Sequence, residues 1–321
     1  MSHGVHSHST DPPLISVRDL RVDYGDMCAV HDLQLEIGPG EVYGLIGPNG
    51  AGKTSTMKVL AGLLMPTYGD VSIAGIDIRQ NPQAIGEVLG FMPDFPPVYE
   101  DLLVWEFLDL FAASYFIPKS RRASEVDRRL DEVGLMEKRD RFINELSRGM
   151  RQRLMLAKTL LPEPKVLLLD EPASGMDPHG RAQMKQVIRD FAAAGGCVLI
   201  SSHILSEMDE FCSVIGIMQR GRMVVSGSVA QVAASVMGKS LLVIELVAGE
   251  NVFRRVLGEH RLAGQIEKRG DSFEVPFDGD REAASDLLTL LVQSGVRVAA
   301  FHRKRESLED VFLQVGAKEL S

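Results

Sequence analysis

The run Gly47-Pro48-Asn49-Gly50-Ala51-Gly52-Lys53-Thr54 fits the pattern G-x-x-x-x-G-K-[ST] at every position. Glycines at these spacings let backbone N–H groups converge on phosphate oxygens, and a helix opening at Gly52 adds its positive dipole end. Lys53 supplies a compact charge for β- and γ-phosphates, and the Thr54 hydroxyl is a hard oxygen ligand suited to Mg²⁺. The cradle is read as Gly47 to Thr54 together with Ser55. Further along, the apolar run Val166-Leu167-Leu168-Leu169 ends in Asp170-Glu171. A carboxylate at such a strand end can hold a Mg²⁺ shell, which assigns Asp170 to the metal. Glu171 is then placed to orient or deprotonate an attacking water. A phosphate cradle followed by this carboxylate pair implies hydrolysis of a nucleoside triphosphate.

These residues need elements to hold them in place. Leu33, Leu35 and Ile37 alternate with Gln34 and Glu36, the period of a half-buried strand. Val42 to Ile46 is a continuous apolar run feeding the glycine-rich turn, as a buried strand would. Met57, Leu60, Ala61 and Leu64 fall at i, i+3, i+4 and i+7 and predict one inward helix face. Residues from about Tyr99 to Leu161 read as a helical insertion. Beyond it, strands and helices alternate: Val166 to Asp170, Gly180 to Ala194, Cys197 to Ser201, and Ile204 to Phe211. A hairpin follows, Val214 to Met218 and Met223 to Ser226. Such alternation implies a largely parallel sheet with covered faces. A second unit begins near Gly238 and has the order βαββαβ, which suggests a small ferredoxin-like module. Its strands are expected at Leu241–Val247, Gln265–Lys268, Phe273–Phe277 and Val296–Phe301. Its helices are expected at Asn251–Leu257 and Arg281–Val292, with a closing helix at Leu308–Val315.

Composition narrows the classes. The 321 residues suggest about two domains. A net charge of −9 argues against sequence-independent nucleic-acid binding. The cysteines, Cys28, Cys197 and Cys212, follow no metal or pairing pattern and read as free thiols. No apolar run reaches the roughly 18 to 20 residues of a membrane span, and the start is not that of a secretory signal. Any membrane role is therefore expected through a partner. Residues 1–13, with His3, His6 and His8, read as a disordered leader rather than a metal-binding tail.

The set of motifs from about Ile15 to Gly227 resembles the ATP-binding subunit of ABC transporters. Leu146-Ser147-Arg148-Gly149-Met150 is similar to that family's signature motif, with Ser147 and Gly149 kept and Arg148 and Met150 departing from it. Asp177 resembles the D-loop aspartate, His203 the switch histidine at the γ-phosphate, and Tyr24 the aromatic residue that stacks on adenine. Asp94 stands where the family usually has glutamine, and is expected still to reach Mg²⁺, directly or through water. Arg148, Arg151 and Arg153 either assist phosphate contacts or solvate the helix face, and solvation is the reading for Arg151. The C-terminal unit, ending in Glu306-Ser307-Leu308-Glu309-Asp310-Val311-Phe312-Leu313, is similar to the extension of bacterial exporter ATPases.

The resemblance implies an α/β P-loop fold over residues 14–237. That fold has an antiparallel β subdomain, a helical insertion over about 99–161, and an α+β module over 238–321. It also implies ATP and Mg²⁺, an integral membrane permease as partner, and a homodimer or a pairing with a related ATPase. Two ATP molecules would then be sandwiched head to tail, on the cytoplasmic, inner face of the membrane. The alternatives kept open are a soluble ATPase uncoupled from transport and an importer ATPase. The lack of a second phosphate loop, a heptad run or a Cys₄ pattern disfavours the first of these.

Overall fold

The computed structural model describes residues 11–94, 98–203, 208, 211–229, 231–232, 240–261, 263–270 and 272–304. The leader histidines and the closing helix expected at Leu308–Val315 lie outside them. So does most of the helix expected at Ile204–Phe211. The chain divides into two compact units, Met1–Val229 and Ala230–Ser321.

In the first unit, β1 (Ile15–Tyr24), β2 (Met27–Ile37), β4 (Tyr68–Ile73) and β5 (Ile76–Asp77) form an antiparallel sheet in the order β2-β1-β4-β5. Along β2 the alternation of Leu33, Leu35 and Ile37 with polar residues sends one face inward. A second sheet joins β3 (Val42–Ile46), β6 (Leu89–Met92), β7 (Val166–Asp170), β8 (Cys197–Ser202), β9 (Val214–Gln219) and β10 (Arg222–Ser228). Its order is β10-β9-β3-β8-β7-β6, parallel throughout except for the β9–β10 hairpin. Strands β3 and β7 are buried at every position, as continuous apolar runs covered on both faces must be. One apolar cluster, including Val17, Leu33, Leu45, Met57 and Leu168, joins the two sheets and α1 (Lys53–Leu60).

Helix α1 stops earlier than the apolar spacing predicts. Met57 and Leu60 are buried, while Ala61 and Leu64 lie past the helix end and pack half-buried. Gly62 at φ +69° turns the chain, and the N–H groups of Leu63 and Leu64 both return to the Lys58 carbonyl. A left-handed glycine in this place is a common helix terminator. Helix α2 (Pro82–Val88) leads into β6. Between β6 and β7 stand α3 (Val104–Ser114), α4 (Lys119–Glu132) and α5 (Arg148–Leu160), and α6 (Pro178–Ala193) follows β7.

In the second unit, β11 (Ser240–Ala248), α7 (Glu250–Glu259), β12 (Glu267–Arg269), β13 (Ser272–Phe277), α8 (Arg281–Gln293) and β14 (Arg297–Lys304) follow in the order βαββαβ. The antiparallel sheet runs β12-β13-β11-β14, the ferredoxin-like arrangement. Leu242, Ile244, Phe253, Phe273, Val275 and Leu287 are among its core residues. Strand β12 starts at Glu267 rather than Gln265. Ahead of it, Ala263 bridges to Phe277 and the Gly264 N–H bonds to the Pro276 carbonyl, so the end of β13 is already occupied. Among the described residues, no helix is long and apolar enough to cross a membrane.

Candidate functional site: a phosphate loop facing three carboxylates

Parallel register brings the chemistry to one edge of the sheet. Ile46 pairs with Ser202 and Asp170 with Ser201, so β3, β7 and β8 end level. Ligands of open α/β sheets bind at these carboxyl ends. The glycine-rich loop leaves β3 here, and the Gly47 N–H bonds to the Ser202 carbonyl. Two glycines are required by close packing. A Cβ on Gly47 would stand 2.5 Å from the Met218 carbonyl oxygen, and one on Gly52 would stand 2.6 Å from that of Ala29. Gly52 also sits at φ +101°, where side chains are strained, and it opens α1 as the N-cap. Lys53 is buried beneath the loop, its Nζ donating to the carbonyls of Gly47 (2.6 Å) and Pro48 (3.2 Å). Burial lowers the pKa of the ammonium, and the charges of Glu171 and Asp170 oppose that shift.

Those two carboxylates are held differently. Asp170 is buried and accepts from the Thr54 hydroxyl at 3.3 Å and from the Ser201 hydroxyl. Its neighbour Glu171 adopts φ +50°, a left-handed conformation that costs a non-glycine residue about 1–3 kcal/mol. Its N–H is fixed by the Ser201 carbonyl at 3.1 Å, and its Oε2 lies 2.9 Å from His203 Nδ1 and 3.5 Å from the Ser202 hydroxyl. The turn thus aims Glu171 away from the strand and toward the cleft. Asp94 lines the same cleft. Burial raises the pKa of its carboxyl, as do Glu171 and Asp170 in that order, against the smaller opposing pull of Arg148 and His203.

The cleft has a volume of about 230 Å³. Residues 49–55 line it together with Tyr24, Asp94, Asp170 and Glu171, all expected from the sequence. The Tyr24 hydroxyl lies 3.3 Å from Ser55 Oγ, and the ring is partly exposed at the cleft mouth. Met27 and Ala29 also line the cleft and were not expected. Their place after the Tyr24-Gly25 turn, on the strand paired with β1, was the available signal. Ser201 and Ser202, which brace the carboxylates, were signalled only by following an apolar strand.

Ser147, Gly149 and Asp177 gather in a second place and do not line this cleft. Ser147 caps α5 by accepting from the Met150 N–H (3.3 Å), and Asp177 caps α6 by accepting from the Gly180 N–H (3.2 Å). A Cβ on Gly149 would touch Met176 at 3.4 Å, so the turn at Ser147–Met150 and the loop at Ser174–Asp177 pack on each other. Arg151 corrects its expected role as a solvated residue. It bonds to Glu100 Oε1 (2.6 Å) and to the carbonyls of Leu146 and Asn144, stapling the helix start to the insertion. Arg153 is buried. It donates to the carbonyls of Val133 and Gly134 and to Gln183 of α6.

A phosphate cradle at the mouth of a parallel sheet, with paired carboxylates on the adjacent strand end, defines a P-loop nucleotide hydrolase. Comparison with known proteins narrows the class. The sequence profile described as "ABC transporter" matches residues 30–174, and "ATP-binding protein DrrA1-3-like, C-terminal domain" matches residues 227–315. The Nod factor export ATP-binding protein I of Cupriavidus metallidurans is 34% identical over 309 residues, covering 96% of this chain and 98% of that protein. The daunorubicin resistance ATP-binding protein DrrA3 of Streptomyces coeruleorubidus is 30% identical over 302 residues, covering 94% and 95%. Among solved structures, an ATP binding subunit of an ABC transporter superposes with a TM-score of 0.63 at 30% identity, covering 69% of this chain and 92% of that one. The Clostridium perfringens cbiO1 structure, part of the ABC transporter complex cbiONQ, gives 0.64 at 26%, covering 70% and 92%. The chain belongs to the ATP-binding proteins of the ABC transporter family, which hydrolyse ATP.

Proposed function

We propose that this chain is the ATPase subunit that energises export of a small molecule through a separate integral membrane permease. The observation that carries this is the cleft itself, where the phosphate loop, Asp170 and Glu171 face one another. The names of its relatives, a Nod factor export protein and a daunorubicin resistance protein, favour export. The chain would work in the cytoplasm, peripheral to the inner face of the membrane.

In this reading the amides of Gly47 to Gly52, with Lys53, Thr54 and Ser55, hold the β- and γ-phosphates, and Tyr24 stacks on adenine. Lys53 must leave the loop carbonyls it now bonds and turn to the phosphates. The oxygen-only donor set of Thr54 and Asp170, 3.3 Å apart, suits Mg²⁺, and Asp94 lines the same cleft. Among the described residues no three acidic, histidine or cysteine side chains converge to hold an ion alone, so phosphate oxygens would share the coordination. Such an ion, held by Thr54 and Asp170, would supply positive charge to offset that of the phosphates. Glu171 accepts a proton from the attacking water. His203, hydrogen-bonded to Glu171, orients that carboxylate and meets the γ-phosphate. Ser147, Gly149 and Asp177 would complete the site on the facing copy, in a homodimer or a pair with a related ATPase.

The reading is tested by purifying the chain from its native membranes and measuring its ATPase activity. Co-purification of an integral membrane protein and stimulation of turnover by that protein are expected. Recovery with ribosomes alone would overturn it.

A further inference from the structure

One hydroxyl meets both residues of the carboxylate pair. Ser201 stands opposite Asp170 in the parallel register of β7 and β8, and both side chains are buried. The Ser201 hydroxyl donates to Asp170 Oδ1, and its oxygen accepts from the Glu171 N–H at 3.3 Å. The amide can only donate, so it occupies a lone pair, and the single hydroxyl proton is committed to Asp170.

The two oxygens of Asp170 are therefore divided. Oδ1 is held by strand β8, and Oδ2 faces Thr54 Oγ1 at 3.3 Å on the first turn of α1. Among the described residues, Ser201 and Thr54 are the side chains that donate to this carboxylate. Once Thr54 and Oδ2 both turn to an ion, Ser201 is the one of the two that still fixes the carboxylate's rotation. The same oxygen, with the Ser201 carbonyl at 3.1 Å, holds the N–H of Glu171 in its left-handed turn.

We infer that Ser201 is a positioning residue, whose hydroxyl keeps Asp170 Oδ2 aimed at the ion and ties that ligand to the turn carrying Glu171. The inference rests on the ATPase reading above and adds a residue to it. Hydrogen-bond partners standing behind a metal ligand typically matter about 10- to 100-fold in metal affinity or activity.

The test compares Ser201→Ala and Ser201→Thr in the full chain. Binding of a non-hydrolysable ATP analogue is titrated in EDTA and against free Mg²⁺, beside kcat and KM for ATP. Ser201→Ala should bind the analogue within about twofold of wild type in EDTA, while its half-saturating Mg²⁺ concentration rises and its kcat falls by about tenfold or more. Ser201→Thr keeps the hydroxyl and should bring both back to within about threefold of wild type. An unchanged Mg²⁺ requirement in Ser201→Ala, equal losses in EDTA and Mg²⁺, or a threonine no better than alanine would overturn the assignment. If either variant does not fold, Ser201→Cys supplies a weak donor of similar size, and its Mg²⁺ requirement should also rise; no rise would overturn the assignment. A wild-type protein that binds the analogue but releases no phosphate would strike the ATPase reading, and the Mg²⁺ titration, which needs no turnover, would still decide Ser201.

Discussion

Glu171→Gln separates chemistry from binding with little collateral change. Glutamine is isosteric, so it can keep the φ +50° turn fixed by the Ser201 carbonyl and the 2.9 Å contact to His203. What it cannot do is accept a proton. A positioned general base contributes about 10²- to 10⁴-fold, equivalent to about 2.7–5.5 kcal/mol of barrier at 1.36 kcal/mol per tenfold. The phosphate cradle and the Thr54–Asp170 pair are untouched, and the cleft loses one of its three negative charges. ATP affinity should therefore be equal to wild type or tighter while turnover falls at least about 100-fold. Phosphate release under saturating ATP reads turnover, and equilibrium titration with an ATP analogue reads affinity. Size-exclusion chromatography with ATP should show a trapped dimer. Turnover above about a tenth of wild type would remove Glu171 from the base role. Loss of ATP affinity would instead make it part of the binding scaffold.

Other perturbations follow from the same coordinates. Gly52→Ala puts a Cβ 2.6 Å from the Ala29 carbonyl at a φ of +101°, which should cost at least about 2 kcal/mol and abolish ATP binding. Thermal unfolding and nucleotide titration together check it. Tyr24→Ala should weaken ATP binding by about 1–3 kcal/mol if the ring stacks on adenine, and Tyr24→Phe should not; equilibrium binding decides. Glu125 offers a pH test of stability. Burial favours its neutral form, but Arg128 and Arg129 together outweigh that and hold its pKa below the ordinary value. A depressed folded-state pKa contributes stability above the unfolded carboxylate pKa, and that contribution is lost as pH falls through the folded value. Glu125→Gln should thus destabilise by about 1–3 kcal/mol at neutral pH, since the buried Arg129 loses one close carboxylate partner and keeps Glu132. The gap to wild type should close in acid, as read by denaturant unfolding across pH.

Much of this site was legible because its constraints are local in the chain. Gly47 to Thr54 must be contiguous to wrap a phosphate, and Asp170-Glu171 end an apolar run whose length marks the strand. The order of the C-terminal unit was legible in period-2 and period-3.6 patterns, whereas the end of α1 was not, because Gly62 overrides an apolar stripe that continues to Leu64. Less legible still were contacts between distant segments. Arg151 looks like any helix-face arginine until Glu100, 51 residues away, closes on it. Arg153 gives no sign in sequence that it would be buried between Val133, Gly134 and Gln183. The left-handed turn at Glu171 is equally silent, since glutamate has no preference for it.

The two clusters on the first unit also explain why one helix carries so much polar bonding. Helix α5 starts at the Ser147–Met150 turn, which packs on the Ser174–Asp177 loop through Gly149 and Met176. One turn on, Gln152 reaches the Asp94 carbonyl, and Arg153 reaches both the insertion and α6. Gln152 and Arg153 each keep a buried polar atom with no hydrogen-bond partner, Oε1 and Nε respectively. A buried unmet polar group costs about 1–3 kcal/mol, so an ordered water at either atom would add stability. Helix α5 thus links the Asp94 segment, through Gln152, to the Ser174–Asp177 loop, through Gly149 and Met176.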